Sequence, residues 1–167
     1  MNLRYAFILL FFIALASCST TSVSGEEELF ENQAKTLEEI TIELSAQEQE
    51  LFNLVNQHRT SMGMGTLEFS EEAYKYALEH NEHMIGEGEL SHDNFSSRAA
   101  EIAKETAAEH VAENVARNYP LADMALEGWL DSAPHKETIE GNFTHTALSI
   151  EMDTGGNPYY TQIFLRK

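Results

Sequence analysis

Residues 146–165 read Thr-Ala-Leu-Ser-Ile-Glu-Met-Asp-Thr-Gly-Gly-Asn-Pro-Tyr-Tyr-Thr-Gln-Ile-Phe-Leu. Thr146, Leu148, Ile150 and Met152 alternate with Ala147, Ser149 and Glu151, the two-residue period of a strand. Asp153 to Pro158 is a cluster of turn formers, and Tyr159 to Leu165 returns as a second strand. The pattern is that of a hairpin. The segments upstream repeat at helical spacing instead. Helices first and a hairpin last predict an α+β domain. Periodicity alone does not order the strands.

Working back from the hairpin, four helices are expected. Ser45-Ala46-Gln47-Glu48 is a capping box, in which the Ser45 oxygen accepts from the backbone of Glu48 and the Glu48 side chain reaches back. Leu51, Leu54, Val55, His58 and Met62 then share one face, and Gly63 is a plausible stop. A second helix opens at Ser70, with Glu71 and Glu72 complementing the dipole of its first turn. Ala73, Tyr76, Ala77, His80 and Met84 form its buried stripe, and Gly86 and Gly88 end it. Residues 97–106 suggest a short third helix. Leu121 to Leu130 makes a fourth, with Ala122, Ala125, Leu126 and Trp129 on one side and Pro120 near its start. It is expected to stop near Pro134, leaving His135 just past its end.

The N-terminus reads differently. Arg4 is the only charge before an apolar run from Tyr5 to Leu15. That run is short of the roughly 20 residues a membrane span needs, and it fits the apolar region of a secretory signal over residues 1–17. Leu15-Ala16-Ser17-Cys18 looks like a bacterial lipobox, so Cys18 is expected to be lipid-modified and to become the new N-terminus. Two acyl chains suffice for stable membrane attachment. Cys18 is the only cysteine, so no internal disulfide can form. Residues 18–44 read as a lipidated acidic tether, leaving 45–167 as one compact domain of single-core size.

The formal charge is −18. The leader carries only Arg4, so 9 basic and 28 acidic residues remain, or −19. Such a chain repels phosphate backbones, so nucleic acid is not an expected partner. Anionic headgroups would repel it too, so membrane contact is expected through the lipid on Cys18. A monomer is expected.

Four short segments carry the chemistry. They are Ser91-His92-Asp93, Ala112-Glu113-Asn114, Trp129-Leu130-Asp131-Ser132-Ala133-Pro134-His135 and Tyr159-Tyr160-Thr161-Gln162-Ile163-Phe164. Imidazole ligates zinc or copper and moves protons near neutral pH, while a lone histidine more often caps a turn. A Glu among Val111, Ala112, Val115 and Ala116 needs a partner if it is buried. The separations from 92 to 113 and from 113 to 135 match no metalloprotease or CxxC pattern. No Gly-x-Ser-x-Gly elbow, usable cysteine or complete phosphate loop is present.

In this order and spacing the four segments resemble the CAP superfamily of cysteine-rich secretory, venom-antigen and pathogenesis-related proteins, in its bacterial branch, from about Gln47 to Phe164. The resemblance implies an α-β-α sandwich, a small and mainly antiparallel sheet with helices on both faces. It also implies a cleft in which His92, Glu113 and His135 face one another, a set that could bind zinc weakly. Asn114, Ser132 and Tyr159 would stand behind them. Two departures from the eukaryotic pattern are visible. Ser132 stands where a Glu follows the Trp by three residues, and Tyr159 stands where a His precedes Tyr-Thr-Gln. His58, His80, His83, His110 and His145 are read as packing or surface residues.

Together with the lipobox at Cys18, the resemblance implies an envelope-anchored module, more binding protein than enzyme. Its cleft would take a small apolar ligand, a peptide or a host-surface partner. The competing reading is a weakly metal-dependent hydrolase of peptides or envelope polymers, with Glu113 as third ligand or general base.

Overall fold

The computed structural model describes residues 42–167. The signal reading over 1–17, the lipid site Cys18 and most of the 18–44 tether lie outside the described residues.

Helix α1 (Ala46–Ser61) begins as expected, with the Ser45 and Glu48 capping box fully formed. Leu51 and Val55 are buried, but Met62, placed on the same stripe by spacing, is the C-cap and more than half exposed. Gly63 follows at φ +75°, a left-handed turn that glycine adopts without Cβ strain. A two-residue strand β1 (Glu68–Phe69) leads into α2 (Glu71–Glu87), capped by Ser70 and closed by Gly88 at φ +73°. Gly86 stays inside that helix. Helix α3 (Phe95–Thr106) starts two residues earlier than spacing suggests.

Strand β2 (His110–Arg117) follows, then α4 (Ala122–Leu130) with its expected buried face of Ala122, Ala125, Leu126 and Trp129. Helix α4 ends at Leu130, before Pro134 as expected, but the chain does not stay irregular there. A further helix α5 (Ala133–Ile139) begins there, with His135 in its first turn. Proline suits that turn because its missing N–H has no intrahelical role there. The hairpin is β3 (His145–Met152) and β4 (Pro158–Arg166).

The sheet order is β1-β3-β4-β2. β1 pairs parallel with β3; β3 with β4 and β4 with β2 are antiparallel. β4 is therefore central, and Pro158 through Leu165 are all buried. Both faces of the sheet are covered by helices, as the resemblance implies. On one face Ala116, Leu148, Tyr160 and Phe164 pack against Leu51, Val55, Leu126 and Trp129 of α1 and α4. On the other, Val111, Ala147, Ile163 and Leu165 pack against Ala73, Ala77 and Ile102 of α2 and α3. This is the three-layer α-β-α sandwich. Each fully buried aliphatic side chain contributes about 1.5–3 kcal/mol. Polar ties fix the layers: Asn81 of α2 donates to the Ser149 carbonyl at 2.8 Å and accepts from Thr161 Oγ1 at 2.7 Å.

The site follows from this layering. β2 is an edge strand, and side-chain alternation sends Glu113 toward α2 and α3 and Asn114 toward α5.

Candidate functional site

Glu113 is the centre of the site. Its side chain is 1% exposed, so an ionised carboxylate there requires partners. Arg98 supplies three of them: Nε donates to Oε2 at 3.0 Å, and Nη2 donates to Oε1 at 2.9 Å and to Oε2 at 2.7 Å. Nη1 of the same guanidinium donates to the Asp93 carbonyl at 3.0 Å, so the pair also pins the loop that carries His92. Two planar groups meet edge to edge, the geometry that makes Arg–carboxylate pairs strong.

His92 closes the carboxylate from the other side. Its Nδ1 lies 2.9 Å from Glu113 Oε1, while half of its side chain remains exposed. An Arg-paired carboxylate can only accept, so Nδ1 carries a proton, and in the neutral ring Nε2 holds the lone pair. Nε2 has no hydrogen-bond partner among the described residues. The ring is thus held in one tautomer and one orientation.

His80 is a third nitrogen near the same oxygen. Nε2 donates to the Ser91 carbonyl at 2.9 Å and lies 3.6 Å from Glu113 Oε1. Its Nδ1 is buried without a partner. Burial pushes the His80 imidazole below its ordinary range, against the pull of the Glu113 carboxylate. His83 stacks beside it with ring centroids 6.0 Å apart. A polar cavity of about 240 Å³ adjoins this group, lined by His80, His83, Arg98 and Glu101 among others.

His135 stands apart from the carboxylate. Asn114, on the opposite face of β2 from Glu113, donates its Nδ2 to the His135 carbonyl at 3.0 Å and so holds the start of α5. The ring Nδ1 is buried and unpartnered. Burial, and after it the nearby His92, hold this imidazole below its ordinary value. Of the expected trio, His92 and Glu113 meet directly, whereas the His135 ring makes no hydrogen bond or ion pair with Glu113 and lies near His92. Ser132 is the N-cap position of α5, with no side-chain cap bond. Tyr159 is a core residue packed with Met84 and Val115, and Arg117 lies over its ring at 5.5 Å.

Zinc does not fit these residues as they stand. Both oxygens of the Glu113 carboxylate are engaged, by Arg98 Nε and Nη2 and by His92 Nδ1, and Arg98 already supplies the positive charge. Among the described residues no group of three or more His, Cys, Asp or Glu is placed to hold a metal ion.

Spacing alone misses Arg98 and His80. Arg98 had a signal: it lies between Phe95 and Ile102 at helical intervals, on the face of α3 that meets the sheet. A buried-stripe arginine in a chain with only 10 basic residues calls for an acidic partner. His80 sits on the buried stripe of α2, where a satisfied packing histidine is the commoner outcome.

A three-layer sandwich with a His–Glu centre at the edge strand is the architecture of a CAP domain. The chain belongs to this family: the model of the cysteine-rich secretory protein family matches residues 52–164. The chain is 27% identical over 124 residues to the Bacillus subtilis protein described as uncharacterized membrane protein YlbC, a match covering 72% of this chain and 34% of that protein. The chain thus spans about a third of that relative's length. Among solved structures, an outer surface protein of Borrelia burgdorferi superposes with a TM-score of 0.67 at 17% identity, over 75% of this chain and 96% of that one. An extracellular SCP-domain protein of Bacillus anthracis gives 0.62 at 23% identity, over 76% of this chain and 45% of that one. A cysteine-rich secretory protein of Staphylococcus aureus gives 0.61 at 18%, over 72% and 38%. These likenesses show the fold. No cysteine occurs among the described residues, so this version of the fold is held by its core and polar ties alone.

Proposed function

We propose that this CAP domain is a non-catalytic binding module, anchored in the bacterial envelope by a lipid on Cys18, that takes an extended peptide segment of a surface partner along the free edge of β2. The observation that carries this is the direction of the backbone groups on that strand. Asn118 donates to the Pro158 carbonyl at 2.9 Å, one step beyond the Arg117 and Tyr159 pair. Even-numbered residues of β2 therefore make the ladder bonds, and odd-numbered ones point their N–H and C=O outward. Trp129 Nε1 covers the Val115 carbonyl at 3.0 Å. The backbone groups of Val111 and Glu113 have no hydrogen-bond partner outside the ladder among the described residues; Glu113 to Ala116 are buried, so the accessible stretch of the edge is His110 to Ala112. An open edge is a template for an added strand, and the oriented, half-exposed His92 stands beside it to read a side chain or carbonyl of the peptide.

Binding is favoured over hydrolysis because Glu113 is no free base. Its lone pairs are engaged by Arg98 and His92, and no activated nucleophile stands nearby. Envelope placement draws support from the lipobox and from relatives described as membrane, extracellular and outer surface proteins.

Peptides selected from a random display library on the full chain test the reading. Val111→Pro removes an outward N–H without touching the β2–β4 ladder, so the fold should survive and peptide binding should fall at least tenfold. Equal binding by wild type and Val111→Pro would sink the edge-strand reading. Cleavage of the selected peptides that disappears in His92→Ala would replace it with the hydrolase. Cys18→Ser should move the chain from the detergent phase to the aqueous phase; unchanged partition would remove the lipid anchor.

A further inference from the structure

We infer that Arg98 is the resident cation of this CAP cleft, occupying in charge and hydrogen bonding the place a divalent metal would need, so that the His92–Glu113 centre works without metal. This goes beyond the peptide-binding reading and holds whether or not a peptide adds to β2.

A carboxylate binds a metal through a free lone pair, and zinc–oxygen contacts run about 2.0–2.2 Å. Glu113 has none to spare. Oε1 accepts from Arg98 Nη2 at 2.9 Å and meets His92 Nδ1 at 2.9 Å; Oε2 accepts from Arg98 Nε at 3.0 Å and Nη2 at 2.7 Å. A dication seated on either oxygen would displace these donors and face the guanidinium across a single carboxylate. Arginine does not relieve that repulsion by losing its proton. Nor can the guanidinium swing away at little cost, since Nη1 is tied to the Asp93 carbonyl at 3.0 Å and the side chain is only 11% exposed.

The tautomer of His92 points the same way. Its Nδ1 donates to Glu113, so in the neutral ring Nε2 is the nitrogen free to ligate. A carboxylate behind a histidine is also how second-sphere groups support a metal-ligating ring. Here, though, the ring would have to find two further ligands. His135 is the remaining candidate of the expected set, and no hydrogen bond or ion pair joins its ring to Glu113. The carboxylate therefore serves to orient the imidazole, with Arg98 supplying the countercharge it needs in the interior.

The test uses cobalt as a visible stand-in for zinc, with the full chain in detergent micelles. Because the chain carries −18, weak surface binding is expected everywhere, and His92→Ala is the control that subtracts it. The wild type should show no ligand-field absorption and no rise in thermal midpoint with cobalt or zinc beyond that of His92→Ala. Arg98→Met frees Glu113, and its apparent cobalt affinity should exceed that of the wild type at least tenfold. The gain should vanish in Arg98→Met/His92→Ala. His92-dependent metal binding by the wild type would overturn the inference, as would a folded Arg98→Met with no gain. Should Arg98→Met fail to fold, the wild-type and His92→Ala titrations decide it by themselves. Peptide binding is measured in chelator, so its loss or survival is read apart from the metal result.

Discussion

Two arginines lie inside this domain, and they are held in opposite ways. Arg59, at the end of α1, is 3% exposed and meets no carboxylate. It donates to the carbonyls of Gly65 at 3.0 Å, Ile139 at 2.7 Å, Gly141 at 2.9 Å and Phe143 at 3.2 Å. Burial without a countercharge pulls its guanidinium below the usual arginine value. Arg98 spends three of its bonds on one carboxylate and the fourth on the loop bearing His92. The first arginine staples backbone from two places in the chain, Gly65 and the 139–143 stretch. The second neutralises a charge that would otherwise be intolerable beneath an exposed histidine. One side chain type thus builds scaffold in one place and a site in another. The partner set, neutral or charged, tells which is which.

The largest expected effect follows from that difference. Breaking a buried ion pair from one side leaves the other charge stranded, at a cost of about 3–5 kcal/mol. Arg98→Met should therefore lower stability by an amount in that range, read from the urea midpoint in chelator. Glu113→Gln added to it should restore much of the loss, because a neutral amide needs no countercharge. The double-mutant cycle should show a coupling of about 2 kcal/mol or more. Additive losses would mean that the pair is held by packing and not by charge.

Arg59→Met should cost less, about 2 kcal/mol, since carbonyls left behind are neutral and can take water. A cavity of about 570 Å³ lined by Arg59, Gly65, Gly141 and Phe143 gives water a route to them. Combined with Glu113→Gln, this loss should be additive within about 0.5 kcal/mol, because no partner is shared. A loss as large as that of Arg98→Met would erase the contrast between the two arginines.

The same contrast explains which parts of the molecule are legible in the amino-acid sequence. Helices α1, α2 and α4 announce themselves by caps and by stripes whose residues are buried as spacing predicts. The hairpin is legible from its alternation and turn. Strand β2 is not, because Glu113 and Asn114 place a polar residue on each face and spoil the pattern. Those polar residues are tolerated only because Arg98 and the His135 carbonyl, from α3 and α5, meet them. Helix α5 is hidden by Pro134, which reads as a stop and proves to be part of a first turn. His92 and Glu113 can be picked out only through the family resemblance. What stays invisible is the pairing across elements: nothing local to residue 98 names residue 113.

The smallest expected effect concerns pH and separates His135 from the carboxylate centre. Burial, then the nearby His92, lowers its proton affinity in the folded chain. In the unfolded chain the imidazole has its ordinary value of about 6.5. Below that value the unfolded chain takes up a proton that the native state resists. The resulting stability is present above about pH 6.5 and is lost as the pH falls toward the lower folded value. His80 contributes in the same direction, since its burial also lowers its value. The urea midpoint of the wild type should thus fall between about pH 7.5 and about pH 5.5. His135→Gln should flatten that fall, by at most one proton's worth of slope, while leaving the Asn114 bond to the backbone carbonyl intact. No hydrogen bond or ion pair joins the ring to Glu113, so Arg98→Met should not abolish this histidine-dependent part of the slope. An unchanged slope in His135→Gln would show that the ring gains its proton freely in the fold, and that the unpartnered Nδ1 is reached by solvent.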